Sequence, residues 1–221
     1  MYRIAWIGFS LCFFMMACRQ ERKSMSLPYY NDPAFTALFL ANPDSIRTKV
    51  THAISDFSFT DQHGNAFGSK ELRGKIHVAN FFFTGCGSIC PGMMQKLKTL
   101  NDSIGNDPQV QLVSFSVTPW RDSVPRLKDY AATHGYTSPR WHLLTGDKGA
   151  IYSLARRSYF AEESLGFSKD STDFLHTEHV LLIDPSLRIR GIYNGTLALD
   201  MEQLLADLKL LQGEYAFPAI Q

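Results

Sequence analysis

Two cysteines separated by three residues, Cys86 and Cys90, stand in the stretch Phe82-Phe83-Thr84-Gly85-Cys86-Gly87-Ser88-Ile89-Cys90-Pro91. An apolar run precedes them and a pattern with helical spacing follows. This order places Cys86 on a loop leaving a strand and Cys90 in the first turn of a helix, with Pro91 suited to the first helical position. A thiolate in such a place faces unpaired backbone N–H groups and the positive end of the helix dipole. Both favour the ionised, metal-binding and nucleophilic form. The plain alternative is a structural disulfide. So small a ring restricts the unfolded chain little and would stabilise it only modestly. The pair therefore reads as functional.

The elements around the pair set what it can do. Residues 56–60 alternate, 61–65 carry turn chemistry, and Ala66-Phe67 begins a return, which predicts a β-hairpin. Residues 75–84 are a near-continuous apolar run between Gly74 and Gly85, as in a strand covered on both faces. A helix is expected over 91–104, a buried strand over 110–117 and a helix over 122–134 with Gly135 as its stop. A short strand at 142–144 and a short helix over 147–156 come next. Strands at 180–183 and 189–193 are joined across Asp184-Pro185-Ser186, and a helix over 199–211 closes the pattern. Strands alternating with helices require parallel crossovers, and the late hairpin adds an antiparallel pair. The expected class is α/β: a thioredoxin-like fold with a mixed central sheet, flanking helices and an N-terminal β-hairpin.

In that fold, thiol–disulfide exchangers normally space their cysteines by two residues and set a cis-proline opposite them. Here three residues intervene, and 165–184 contains no proline. It contains His176 and His179 instead. A histidine brought over two thiolates makes a Cys₂His set that suits Cu(I) best, can hold Cu(II) and could hold Zn²⁺. His179 enters the following strand at an odd offset from His176, so the two tend to face opposite sides.

Residues 81–97 (FFFTGCGSICPGMMQKL), 113–123 (VSFSVTPWRDS) and 174–195 (FLHTEHVLLIDPSLRIRGIYNG), with WHLLTG at 141–146, resemble the SCO/SenC family, whose copper-binding thioredoxin-like members help assemble cytochrome c oxidase. The likeness spans about residues 54–211. It implies one copper ion held by Cys86, Cys90 and His176, the histidine nine residues before Pro185. It also implies delivery to the copper-site subunit of a terminal oxidase, with thiol reductants or other copper carriers as further partners. The family carries an Asp-Pro where this chain has Thr118-Pro119, and that carboxylate is tied to metal handling or partner thiol chemistry. Arg121 and Asp122 match the family's next Arg-Asp and are expected to be a structural pair and a helix cap. Reading the dithiol alone, the alternatives are a thiol–disulfide oxidoreductase, with Cys86 attacking and Cys90 resolving, and a copper-dependent redox sensor.

The other two cysteines point to export. Arg3 precedes an apolar run from Ile4 to Ala17, 14 residues long, too short for the ~20 of a membrane-spanning helix and right for a signal peptide. Met15-Met16-Ala17-Cys18 resembles a lipobox, which implies acylation of Cys18 and removal of residues 1–17 with Cys12. Residues 18–50 are expected to be a tether and irregular lead-in whose Tyr29, Tyr30, Phe35 and Phe39 pack on the domain, and 51–221 the thioredoxin-like domain. The expected location is the cell envelope, outside the cytoplasm, on a lipid anchor. Lys+Arg 22 against Asp+Glu 21 leaves a formal charge of +1, which argues against a nucleic-acid partner. The remaining histidines (52, 63, 77, 134 and 142) are scattered singly. Met94 shares helical spacing with Leu97, so Met93 and Met94 read as core rather than as soft ligands.

Overall fold

A computed structural model describes residues 26–161 and 177–216. Five strands make the main sheet: β3 (Ile76–Phe82), β4 (Val110–Ser116), β5 (Trp141–Leu144), β6 (His179–Ile183) and β7 (Ile189–Asn194). Their order is β5-β4-β3-β6-β7, and β1 (Ser58–Thr60) and β2 (Ala66–Gly68) form a separate antiparallel hairpin. β3 pairs parallel with β4 and antiparallel with β6, β4 pairs parallel with β5, and β6 pairs antiparallel with β7. The sheet is therefore mixed, with β3, all seven of whose residues are buried, at its centre.

Alternation along β3 divides the interior in two. Ile76, Val78 and Phe82 join a core with α3 (Ile89–Ile104), α4 (Val124–His134) and α6 (Ala198–Ala216). Ala79 and Phe81 face the other way, into a core with the hairpin, Leu72 of α2 (Ser69–Leu72) and α5 (Lys148–Arg157). Met93 and Met94 lie wholly inside the first core. Gly135 stops α4 in the left-handed conformation, φ 73°. β6 reads in the same alternating way: Val180 and Leu182 face the first core, Leu181 and Ile183 the second.

The structure alters several expectations. α3 begins at Ile89, so Pro91 is its third residue rather than its first. The lead-in is more ordered than its irregular pattern suggests: Tyr29 and Leu38 form a β-bridge, and residues Pro43–Lys49 make an added helix, α1. Asn42 caps α1 by accepting from the N–H groups of Asp44 and Ser45, but the helix buries no residue, and so carried no apolar periodicity to detect. Of the four lead-in aromatics, Tyr29 is buried and Tyr30 and Phe35 pack against the second core, whereas Phe39 is 75% exposed. Asp122 is not a helix cap: Ser123 takes the N-cap position of α4, without a side-chain bond. Cys12 and Cys18 fall outside the described residues, as does His176.

Candidate metal centre

The chain leaves β3 at Phe82, and the N–H of Cys86 donates to the Phe83 carbonyl (3.2 Å), closing a tight turn ahead of α3. This loop sets Cys86 at the mouth of a pocket of about 290 Å³ and Cys90 inside it. Phe81, Phe82, Phe83, Ile89 and Val117 supply most of the wall, and Thr177 closes it from the segment entering β6. Both cysteines are free thiols, Cys86 half-buried and Cys90 buried.

The two sulfurs occupy different electrostatic environments. Partial burial opposes ionisation of Cys86. The Cys90 N–H, the Cys90 thiol and the N–H groups of Ser88 and Ile89 outweigh it and hold the Cys86 thiol below its ordinary range. Ser88, the N-cap residue, makes no side-chain capping bond. The sulfur of Cys86 thus takes the place a capping oxygen would fill, facing N–H groups that the helix leaves unpaired. Cys90 has the opposite fate: burial, and donation of its proton towards Cys86, push it up to about 12. The Cys86 sulfur at the mouth is therefore the more readily ionised of the two, and Cys90 behind it keeps its proton.

Asp122 is the residue that sequence reasoning misplaced. It is 1% exposed. Its carboxylate accepts from the Thr84 N–H (3.2 Å), Thr84 Oγ1 (2.6 Å), Ser116 Oγ (2.6 Å) and Thr118 Oγ1 (2.9 Å). It ties the segment just before Cys86 to the loop that follows β4. The donors sit four to 38 residues from it, so no local pattern announces the arrangement. Four donors, three of them hydroxyls, compensate the buried charge without a cation. Thr118, standing where the resemblance led us to expect an aspartate, is one of those donors. A carboxylate there would bring a second acceptor to a place that needs a donor.

His179 opens β6 in line with Leu181 and Ile183 and stacks edge-on against Phe35 (5.7 Å), on the sheet face away from Cys90. His63 is exposed in the hairpin turn, and the four other described histidines are engaged elsewhere. His52 bonds the Ser158 carbonyl, His77 meets Tyr159, His142 stacks on Phe67 beside Asp61, and His134 stacks on Tyr130 and Tyr136. Among the described residues no group of three His, Cys, Asp or Glu could hold a metal ion. The structure therefore brings together Cys86 and Cys90, and Thr177, the chain neighbour of His176, lines the same pocket.

A thiol pair at the start of the helix after a central strand is the geometry expected from the sequence. The SCO1/SenC family model matches residues 46–212. The chain belongs to the SCO1/SenC family. Its fold matches that of a SCO1/SenC family lipoprotein from Bacillus anthracis str. Ames at 30% identity and TM-score 0.64, covering 74% of this chain and 96% of that one. BsSco, described as a Sco family cytochrome c oxidase assembly protein with a disulfide switch, matches at 26% identity and TM-score 0.62, over 73% and 94%. Bradyrhizobium japonicum ScoI, solved with copper bound, matches at 28% identity and TM-score 0.58, over 73% and 99%. The thioredoxin-like SCO1/SenC architecture thus extends over nearly the whole length of these proteins.

Proposed function

We propose that this SCO1/SenC protein is a copper chaperone that binds one copper ion through Cys86, Cys90 and His176 and delivers it to the dinuclear copper site of a terminal cytochrome c oxidase. The observation that carries the reading is the pocket holding both sulfurs, with Thr177, next in the chain to His176, on its wall. Two soft sulfurs and an imidazole suit Cu(I) and accommodate Cu(II). The lowered Cys86 thiol supplies one thiolate readily, and metal binding displaces the proton that Cys90 otherwise keeps. Release is ligand exchange: the copper–sulfur bonds to Cys86 and Cys90 break as the acceptor's thiolates bind, and the protons the acceptor loses balance those the chaperone regains. Oxidation of the pair by an external disulfide joins the sulfurs, removes both ligands and so gates loading. Bradyrhizobium japonicum ScoI with copper bound and BsSco's place among oxidase assembly proteins support the assignment.

The proposal extends to the N-terminus. Residues 1–17 are a signal peptide, Cys18 carries the lipid, and the domain works in the cell envelope, in keeping with the Bacillus anthracis lipoprotein. Among the described residues no helix is long and apolar enough to cross a membrane.

Copper titration of the reduced chain tests the site. Cu(II) should produce sulfur-to-copper charge-transfer absorption at one equivalent, and His176→Ala should weaken binding at least tenfold. Undiminished affinity in His176→Ala would remove that ligand from the set. A second reading, thiol–disulfide exchange with Cys86 attacking and Cys90 resolving, draws on the split between the two thiols. It predicts disulfide reductase activity that survives His176→Ala, with no charge-transfer band.

A further inference from the structure

We propose that the rim of the cysteine pocket is a docking surface for an acidic polypeptide segment that presents the thiols accepting the metal. The proposal rests on the copper-transfer reading and deepens it by naming the partner's chemistry. Five side chains make the rim: Ile89 in the pocket wall, Arg121 and Arg126 beside the Thr84-Gly85 segment that leads into Cys86, Trp120 next to Arg121 in the chain, and Lys148 against Trp120. Trp120 is 57% exposed, whereas Trp141 is 1% exposed in the core. The Lys148 ammonium lies 5.0 Å from the Trp120 ring centre. Ile89, 38% exposed, belongs to the pocket wall itself. The guanidinium of Arg121 comes within 3.9 Å of where a β-carbon on Gly85 would lie, immediately beside Cys86. Arg126 adds a second exposed guanidinium on the same side, its Nε donating to Thr84 Oγ1 (3.0 Å).

The cations of this rim stand outside any ion pair, although Asp147 precedes Lys148 and Asp129 lies one helical turn from Arg126. Among the described residues no carboxylate pairs with Arg121, Arg126 or Lys148. The one carboxylate in the loop, Asp122, is buried and spent on four donors. Such an arrangement, an aromatic anchor and a small aliphatic contact ringed by unpaired cations, has the make-up of a recognition surface rather than of solvated exterior. Its position fixes the kind of partner. Copper leaves two thiolates only for groups of comparable softness, so the acceptor must bring its sulfurs to the pocket mouth. The chain carrying them then lies across Trp120, Ile89 and Arg121. Carboxylates flanking the accepting thiols would meet Arg121, Arg126 and Lys148, steering encounter and fixing orientation.

The test uses the full chain, reduced and copper-free, titrated with a synthetic 12-residue peptide holding a Cys-x₃-Cys pair and four glutamates. A peptide with lysines for the glutamates is the control. Trp120 emission should change saturably with the glutamate peptide, less than a tenth as tightly with the lysine peptide, and not at all in Trp120→Phe. Arg121→Glu should weaken binding of the glutamate peptide at least tenfold. In the copper-loaded chain, Arg121→Glu should also slow transfer to that peptide at least tenfold at low ionic strength while leaving copper affinity unchanged. Equal binding of the two peptides, or no effect of Arg121→Glu, would overturn the proposal. So would a Trp120 response to anionic phospholipid vesicles but not to the peptide, or shielding of Trp120 by a second copy at rising protein concentration. Failure of the reduced chain to bind copper would strike the chaperone reading alone, because the peptide titration contains no metal.

Discussion

Two carboxylates are buried at opposite ends of the sheet, and they are held by different means. Asp122, under the cysteine loop, is met by three hydroxyls and one backbone N–H. Asp184, at the far end of β6, receives the N–H groups of Ser186 and Arg188, the Tyr215 hydroxyl (2.9 Å) and the charge of Arg190 at 3.7 Å. Arg190 also pairs with Glu214 (2.8 Å), donates to the carbonyls of Leu27 and Pro28, and lies 4.0 Å from the Tyr29 ring centre. The far end is thus an ionic clamp that locks the lead-in and α6 onto β7. The site end uses neutral donors only. A permanent cation inside the site would compete electrostatically with a metal ion held by two thiolates, whereas hydroxyls position the loop without adding charge. The arginines beside Cys86 stay on the rim, in solvent.

Breaking the clamp should have the largest effect. Arg190→Met keeps much of the volume but leaves Asp184 unpaired at 0% exposure and Glu214 without its partner. Removing one member of a buried ion pair costs about 3–5 kcal/mol. Urea unfolding should show that loss, and in the folded fraction Cys86 should be alkylated at the wild-type rate. Slowed or accelerated alkylation would mean that the two ends are coupled.

Acid offers a milder way to separate the ends. His77, on β3 opposite Ile183 and so beside the Asp184 end, is wholly buried with Tyr159, and burial pulls its imidazole down to about 3. A folded-state value below the unfolded one means that the unfolded chain takes up a proton the folded chain refuses. Stability contributed above the unfolded value of about 6.5 is therefore lost as pH falls from there towards 3, by ~1.4 kcal/mol per pH unit. Asp184 works in the opposite sense. Burial, outweighing its backbone donors, Arg190 and Tyr215, lifts its carboxyl, so its contribution is present below the ordinary carboxylate range and lost as pH rises through the folded value. Between pH 6.5 and 5 the His77 contribution amounts to about 2 kcal/mol. Urea titrations at both pH values should show it, and His77→Gln, which retains a partner for Tyr159, should largely abolish it.

The contrast between the ends also shows what the sequence could and could not disclose. The apolar run at 75–84 and the spacing of Met93, Met94, Leu97 and Leu100 announced β3 and α3, because burial on a regular element leaves a period. The cysteine pair was legible for a related reason: its chemistry depends on a local strand–loop–helix position. α1 escaped since it buries nothing, and Pro91 misled by two positions because Ile89 and Cys90 already follow helical geometry. The roles of Asp122 and Arg190 were not legible at all. Each is defined by partners that only the folded sheet brings close, Thr84 with Ser116 in one case and Leu27 with Glu214 in the other.

The smallest predicted effect bears on how many donors the site end needs. Thr118→Val preserves shape and removes only the hydroxyl that donates to Asp122 at 2.9 Å. Three donors remain, from Thr84 and Ser116, so the carboxylate stays compensated. One hydrogen bond to a charged group is worth about 1.5–3 kcal/mol, and the valine methyl, buried where the hydroxyl was, returns part of it, for a net loss of about 1 kcal/mol. Urea unfolding at pH 7 reads that loss, and hydrogen exchange at the Thr84 and Cys86 amides reads whether the cysteine loop loosens with it. A loss of 3 kcal/mol or more would make Thr118 as indispensable as a clamp residue and would erase the distinction between the two ends. A loss near 1 kcal/mol with unchanged exchange would show that a network of neutral donors tolerates deletion where an ionic clamp does not. Such tolerance would let position 118 lose its hydroxyl while the cysteine loop keeps its geometry.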